Sequence, residues 1–260
     1  MKNQRTQKDQ QFLNLPAKAV NKVVQKLSSS REVECPCGWK GKKFLSYGEP
    51  PRKNAQCPNC LSYERSRLYY LYFKSILPND KKLKVLHFAP EEPLASLFTS
   101  YKNIEYLSAD LDPKLAMIKQ DLTNLTFEDN SFDIVFCSHV LEYIDDDIKA
   151  MREIYRVLKP AGFAILQVPI KDYFNGMKID KTYEDPSITK PSERKRAYGY
   201  FDHFRIYGRD YPDRLKKAGF KVRIDKFLES LSSTDVKKYA LYPQGKTDNE
   251  TSGWIYYCTK

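Results

Sequence analysis

The sequence predicts an α/β protein, a largely parallel sheet with helical crossovers preceded by a small cysteine-bearing module, and three observations carry that reading. The run from Asp121 to Pro169 reads as strand, helix and strand. Four cysteines fall in two close pairs, Cys35-Pro-Cys37 and Cys57-Pro-Asn-Cys60. Charge is uneven: residues 1–82 hold 17 Lys and Arg against 6 Asp and Glu, whereas residues 83–260 balance at 27 of each.

Within the central run, Phe132 to Ser138 is a short apolar segment expected to be buried on both faces. Asp145 to Leu158 places Ile148, Met151, Ile154, Tyr155 and Leu158 at helical spacing, with acids at its start and bases at its end, as the helix dipole favours. Lys159, Pro160, Ala161 and Gly162 break that helix, and Phe163 to Val168 resumes a strand. Upstream, Leu83 to Phe88 reads as the first strand, Pro93 to Tyr101 as a helix and Ile104 to Ala109 as the second strand. A short helical stretch after Asp112-Pro113 leads to a third strand ending at Asp121. Downstream, Asp210 to Ala218 is a predicted helix, Phe220 to Phe227 a strand, and Gly253 to Thr259 a last, antiparallel strand. The count is seven strands.

Ligands of such sheets bind beyond the carboxyl ends of the strands, here Cys137 to Glu142 and Pro169 to Asp172. Asp110 closes the second strand, where a carboxylate can accept hydrogen bonds from the two ribose hydroxyls of an adenosine cofactor. The same pattern of strands occurs in dinucleotide-dependent dehydrogenases, which are the rival reading.

The segments LTFEDNSFDIVFCSHVLEYI and REIYRVLKPAGFAIL, with AGFKV at 218–222, resemble the class I S-adenosylmethionine-dependent methyltransferases, in the branch related to the ubiquinone and menaquinone enzymes. The resemblance covers about residues 83–260 and implies a Rossmann-like seven-stranded sheet with S-adenosylmethionine as cofactor. It implies that Asp110 holds the ribose, that Asp121 meets the adenine amino group, and that Ser138 and His139 line the methyl-transfer site. Ala89, Leu111 and Leu122 belong to the same implied cofactor site. The family's first loop is usually glycine-rich, but the segment here is VLHFAPEEPLA, without glycine and with Pro90 and Pro93 lacking amide donors. A subgroup with an LHFAPE signature, an N-terminal cysteine motif, TYEDPSIT and DH-R-YG segments is similar to this chain, which shows them at Leu86–Glu91, Thr182–Thr189 and Asp202–Gly208. Glu91 is then expected to bind the α-ammonium of the cofactor, with His87 or amides near Leu94 at its carboxylate. The alternative is that Glu91 caps the helix.

The cysteine spacing resembles a zinc ribbon, with Cys35, Cys37, Cys57 and Cys60 as thiolate ligands, although the first pair is one residue shorter than the usual CxxC knuckle. A module this small cannot bury a sufficient core alone, so a metal would contribute to its folding. Disulfides are the competing reading, and Cys137 and Cys258 read as core residues. Residues 1–30 read as a basic tail with an amphipathic stretch from Ala17 to Leu27, 31–78 as the ribbon-like module plus a linking helix, and 79–260 as the methyltransferase domain.

The segment 170–207 is too long for a simple connection and is the expected acceptor-recognition insert, bringing Tyr173, Tyr183, Glu184 and Arg205 near the mouth. Tyr183 to Pro186 also reads as a plain turn. The three histidines, His87, His139 and His203, all fall near predicted strand ends or in the insert, and His203 is the first choice of general base with His139 second. The acceptor is expected to be a small molecule or glycan, methylated on oxygen or nitrogen. An RNA methyltransferase gripping nucleic acid with its basic ribbon is the alternative, with Tyr63, Tyr69, Tyr70, Tyr72 and Phe73 as stacking surfaces or, at their helical spacing, packing. A non-catalytic binding protein is the third. No run approaches a membrane span and no secretion signal is evident, so a cytoplasmic location is expected. The sequence carries no signal for oligomeric state.

Overall fold

The computed structural model describes residues 33–48, 51–241 and 253–260. The predicted basic tail and the Ala17 to Leu27 stretch lie outside them. Two compact units share the chain, one of Met1–Pro78, Glu91–Leu97 and Leu228–Lys246, the other of Asn79–Pro90, Phe98–Phe227 and Thr247–Lys260.

In the first unit, strands β1 (Val33–Glu34) and β2 (Lys40–Gly41) pair antiparallel, as do β3 (Leu45–Tyr47) and β4 (Arg52–Gln56). Helix α1 (Glu64–Ile76) follows. Its Arg67 is fully buried and lies over the Phe44 ring at 4.1 Å. The guanidinium donates to four carbonyls, those of Ala55 (3.0 Å), Ser62 (2.9 Å), Tyr239 (2.7 Å) and Ala240 (2.8 Å). Carbonyls that distant in sequence are gathered because a planar fork of N–H donors can serve them together. This is why the unit takes in residues after 228 as well as the cysteine module. Tyr69, Tyr72 and Phe73 are buried, so those rings of α1 pack rather than stack on a ligand.

The second unit is built on a seven-stranded sheet. Its members are β5 (Leu83–Phe88), β6 (Ile104–Asp110), β7 (Ile118–Lys119), β8 (Phe132–Ser138), β9 (Leu158–Gln167), β12 (Lys221–Asp225) and β13 (Ile255–Thr259), in the order β12-β13-β9-β8-β5-β6-β7. All pairs are parallel except those of β13, antiparallel to both neighbours. Helices α2 (Glu92–Ser100) and α3 (Asp147–Val157) follow β5 and β8, and Asp146 caps α3 by accepting from the Lys149 amide at 2.9 Å. Ala150, Met151, Ile154 and Val157 of α3 bury their helical stripe in a core shared with Val135, Cys137, Leu166 and Cys258.

Two local expectations are corrected. The predicted break at Lys159 to Gly162 lies inside β9, which starts at Leu158: partners step from Phe132↔Leu158 to Ile134↔Phe163, a bulge. Only glycine fits at 162, since a Cβ there would sit 2.6 Å from the Asp133 carbonyl oxygen. The expected helical stretch after Asp112-Pro113 is a pair of Asp-capped turns, with the Asp112 amide on Asp110 Oδ1 and the Lys114 amide on Asp112 Oδ1, both at 2.9 Å.

The insert is more ordered than its sequence suggests, with a hairpin of β10 (Tyr173–Phe174) and β11 (Met177–Lys178) and a helix α4 (Pro191–Tyr198). Beyond it come α5 (Tyr211–Lys217), α6 (Phe227–Ser230) and α7 (Ser233–Lys238).

His87 lies wholly inside the second unit, on β5, with its Nδ1 3.1 Å from the Tyr106 hydroxyl and the rings of Phe98 and Phe136 around it. Burial lowers its pKa from 6.5 to about 3. The imidazole is neutral in the fold and protonates first in the unfolded chain, so its contribution is complete above about pH 6.5 and is lost as pH falls toward 3. Over that window this one group should cost about 1.4 kcal/mol of stability per pH unit. Urea unfolding at pH 7, 6 and 5 should therefore show His87→Phe losing stability more slowly than wild type; parallel losses would refute the buried neutral imidazole.

Candidate active site

Two residues in the left-handed region mark the carboxyl ends of the central strands. Ala89, immediately after β5, has φ +48° and donates its N–H to the Ala109 carbonyl at 3.0 Å. The glycine-free loop thus makes its turn on an alanine, at a strain of roughly 1–2 kcal/mol. His139, immediately after β8, has φ +55° and donates its N–H to the Gln167 carbonyl at 2.9 Å. Such strain persists where surrounding structure over-determines it, and it concentrates at functional sites.

On the neighbouring strand end, Asp110 uses one carboxylate oxygen for the Asp112 amide and makes no hydrogen bond through the other among the described residues. Leu111 and Met117 are exposed beside it, an apolar surface next to a carboxylate. Asp121 is exposed and accepts from the Thr123 amide and hydroxyl, both at 2.8 Å. Leu122 is buried in the main core.

Beyond β8 the polar groups converge. Ser138 Oγ is buried without a hydrogen-bond partner among the described residues. His139 Nδ1 lies 3.2 Å from Glu142 Oε1, and Glu142, on the single 3-10 turn Leu141–Tyr143, is only 1% exposed. Its backbone carbonyl accepts from the Phe204 amide at 2.9 Å, which fixes the insert beside it. His203 is buried, stacked on Tyr200 at 4.4 Å and edge-on to Tyr143 at 4.9 Å between ring centroids. Burial lowers its pKa; Glu142 and Asp202 oppose that shift, while Lys171 and His139 add to it. Lys171, half-buried over the rings of Phe174 (4.6 Å) and Tyr200 (6.0 Å), is itself lowered by burial. Glu142 and Lys171 were not singled out from the sequence. An acid in LEYI and a lysine four residues past a strand look like ordinary surface charges until the backbone buries them.

The structure brings together Ser138, His139 and His203 but sends other candidates elsewhere. His87 is inside the sheet. Glu91 belongs to the other unit, where its carboxylate accepts a hydrogen bond from Ser66 and lies 3.7 Å from Arg65. Tyr173 and Tyr183 are exposed. Glu184 and Arg205 bind each other at 2.8 Å, and Arg205 also donates to the carbonyls of Leu141, Ile144 and Asp145. Asp147 completes this buried network, meeting Arg214 through both oxygens (2.6 and 3.0 Å) and accepting from the Tyr207 hydroxyl at 2.7 Å. Arg205 and Glu184 therefore hold the insert to α3 and α5.

In the first unit the sulfur atoms of Cys35, Cys37, Cys57 and Cys60 all lie within 4.8 Å of one another, with Cys35 to Cys60 at 3.5 Å and Cys37 to Cys57 at 3.8 Å. A tetrahedral zinc with bonds of about 2.3 Å separates its sulfurs by roughly 3.8 Å, so the donor set fits. The short Cys35-Pro-Cys37 pair closes through Gly38, at φ +91°, whose amide bonds the Cys35 carbonyl at 2.8 Å. Hydrogen bonding from Cys35 holds Cys37 below the ordinary thiol range and Cys60 at about 7, while the same contacts push Cys35 and Cys57 up.

Residues 93–166 match the family described as a methyltransferase domain, on the same sheet whose strand ends carry this polar cluster. Over these residues the chain is thus similar to the methyltransferases. The chain is 42% identical over 62 residues to "Probable methyltransferase ltbC" of Aspergillus luteorubrus, a match over 23% of this chain and 22% of that protein. It is 30% identical over 132 residues to the 2-phytyl-1,4-naphtoquinone methyltransferase of Nostoc punctiforme, over 42% of this chain and 51% of that one. The chain thus spans between about a fifth and a half of these relatives' lengths. A crystal structure of an S-adenosylmethionine dependent methyltransferase from Mesorhizobium loti aligns with 76% of this chain and 100% of that chain, at 15% identity and a TM-score of 0.49. No helix among the described residues is long and apolar enough to cross a membrane.

The ionic network makes a direct prediction. Asp147→Asn removes the charge that balances buried Arg205 and Arg214 and should lower stability by about 3–5 kcal/mol, read as an earlier thermal unfolding midpoint. An unchanged midpoint would show that the network contributes nothing net.

Proposed function

We propose that this chain transfers the methyl group of S-adenosylmethionine to an oxygen or nitrogen of a small-molecule or glycan acceptor, and that a structural zinc on its four clustered thiolates holds the first unit together. The observation that carries the first part is the convergence of Ser138, His139 and His203 beyond β8, walled by Tyr143 and Tyr200. A buried polar cluster with partly exposed rings suits a compact acceptor better than a phosphate backbone, and residues 83–260 carry no net charge to attract one.

The chain fits the cofactor at Asp110, whose second oxygen can take a ribose hydroxyl, with Leu111 as apolar surface, Asp121 at the adenine amino group, and Ala89 turning the backbone away from the strand end. When bound, S-adenosylmethionine supplies an electrophilic methyl group on sulfonium. The residues align the acceptor and remove its proton, and His203 and His139 are the two bases within the cluster. With its pKa lowered by burial, His203 is neutral at pH 7 and able to accept a proton.

Two experiments test this reading. Asp110→Ala should weaken S-adenosylhomocysteine binding about 10- to 100-fold by calorimetry, the worth of a charge-assisted hydrogen bond or two. Undetectable binding to the wild type would overturn the enzyme reading, and salt-sensitive retention of RNA would instead favour a nucleic-acid acceptor. For the metal, purified protein should release one zinc per chain to a thiol-reactive mercurial and lose thermal stability with it, and Cys57→Ala should hold none. Metal-free protein with an unchanged midpoint would remove zinc from the account.

A further inference from the structure

Glu142 is the least explained charged group of the second unit. Its side chain is 1% exposed, and neither oxygen has a well-formed hydrogen bond among the described residues. A carboxylate so buried is costly unless something balances it. The one group that reaches it is His139 Nδ1, at 3.2 Å from Oε1. His139 has little freedom to choose another arrangement: its backbone is held in the left-handed region at φ +55° by the bond from its N–H to the Gln167 carbonyl. Glu142 is equally fixed, because its own carbonyl is bonded by the Phe204 amide.

We infer that Glu142 is a positioning residue that holds His139 as the Nδ1–H tautomer, so that His139 Nε2 is a proton acceptor of the site. The inference rests on the methyl-transfer reading only for the identity of the reaction; the pairing itself is a property of the fold. A neutral imidazole carries one N–H, and the carboxylate decides which nitrogen bears it. With the proton on Nδ1, 3.2 Å from Glu142, Nε2 keeps its lone pair on a side chain that is 27% exposed. During reaction the acceptor's O–H or N–H proton passes to Nε2, the bonding pair stays on the acceptor atom that forms the new bond, and the imidazolium is balanced by the carboxylate behind it. His203 has no carboxylate in such direct contact: it lies between Tyr200 and Tyr143, and Glu142 and Asp202 offset only part of the effect of its burial.

The chain has three histidines, so nitrogen-15 spectra of the full-length protein can be assigned with His139→Gln and His203→Gln as references. At pH 8 the His139 signals should show protonated Nδ1 and unprotonated Nε2. Glu142→Ala should move His139 toward the Nε2–H form, and Glu142→Gln, whose side-chain carbonyl can still accept from Nδ1–H, should keep the Nδ1–H form. A wild-type His139 already in the Nε2–H form, or a tautomer that ignores Glu142→Ala, would overturn the inference. These spectra need neither cofactor nor acceptor, so they decide the pairing even where S-adenosylhomocysteine fails to bind. In turnover, Glu142→Gln should lower kcat about 100-fold with KM little changed. An unchanged kcat would overturn the part of the pair in proton transfer.

Discussion

The constraint behind the second unit is that β5 and β8 are central strands of a parallel sheet, with their side chains buried along almost their whole length. No polar chemistry can be carried along such strands without severe desolvation, and the one imidazole that is there, His87, is held neutral. Reactive groups are therefore confined to the first residues past the carboxyl ends, where the backbone must also turn sharply. Ala89 and His139 make those turns in the same left-handed conformation, one without a polar side chain and one with. Chemistry and strain coincide at His139 because both are consequences of the chain leaving a fully packed strand.

The first unit solves a different problem. Its strands are two to five residues long and its core is small, so much of its cohesion comes from directional bonds. Arg67 gathers carbonyls from β4, the turn before α1 and the end of α7, and the four sulfurs converge on the same neighbourhood. The nearby thiols favour the cationic form of a guanidinium that burial disfavours, which links the charge of the sulfur cluster to the clamp beside it.

Much of this was legible in the sequence, and for physical reasons. The apolar runs at Leu83–Phe88 and Phe132–Ser138 announce strands that the sheet places side by side, and the paired cysteines announce a cluster because few other arrangements tolerate four close thiols. Break signals were real at Lys159 to Gly162, but a proline and a glycine specify a bulge as readily as a loop. The role of Arg67 was hidden because its partners are backbone carbonyls, two of them more than 170 residues away, and carbonyls leave no mark on a sequence. Glu142 was hidden for a related reason: a single turn of 3-10 helix buries it, and one turn has too few residues to show periodicity. The insert's charges were visible, but the pairing of Glu184 with both Arg205 and Arg214 was not, because it joins residues far apart in the chain.

The network around Asp147 has a consequence for motion. It fastens the root of the insert to α3 and α5 through ion pairs, whereas the tip turns Tyr173, Met177 and Phe201 to solvent and packs a small cluster around Ile179, Tyr198 and Ile206. Local opening is cheapest where few buried contacts must be broken. Amide exchange should then divide the insert into a slowly exchanging hinge at its base and a rapidly exchanging flap at its end.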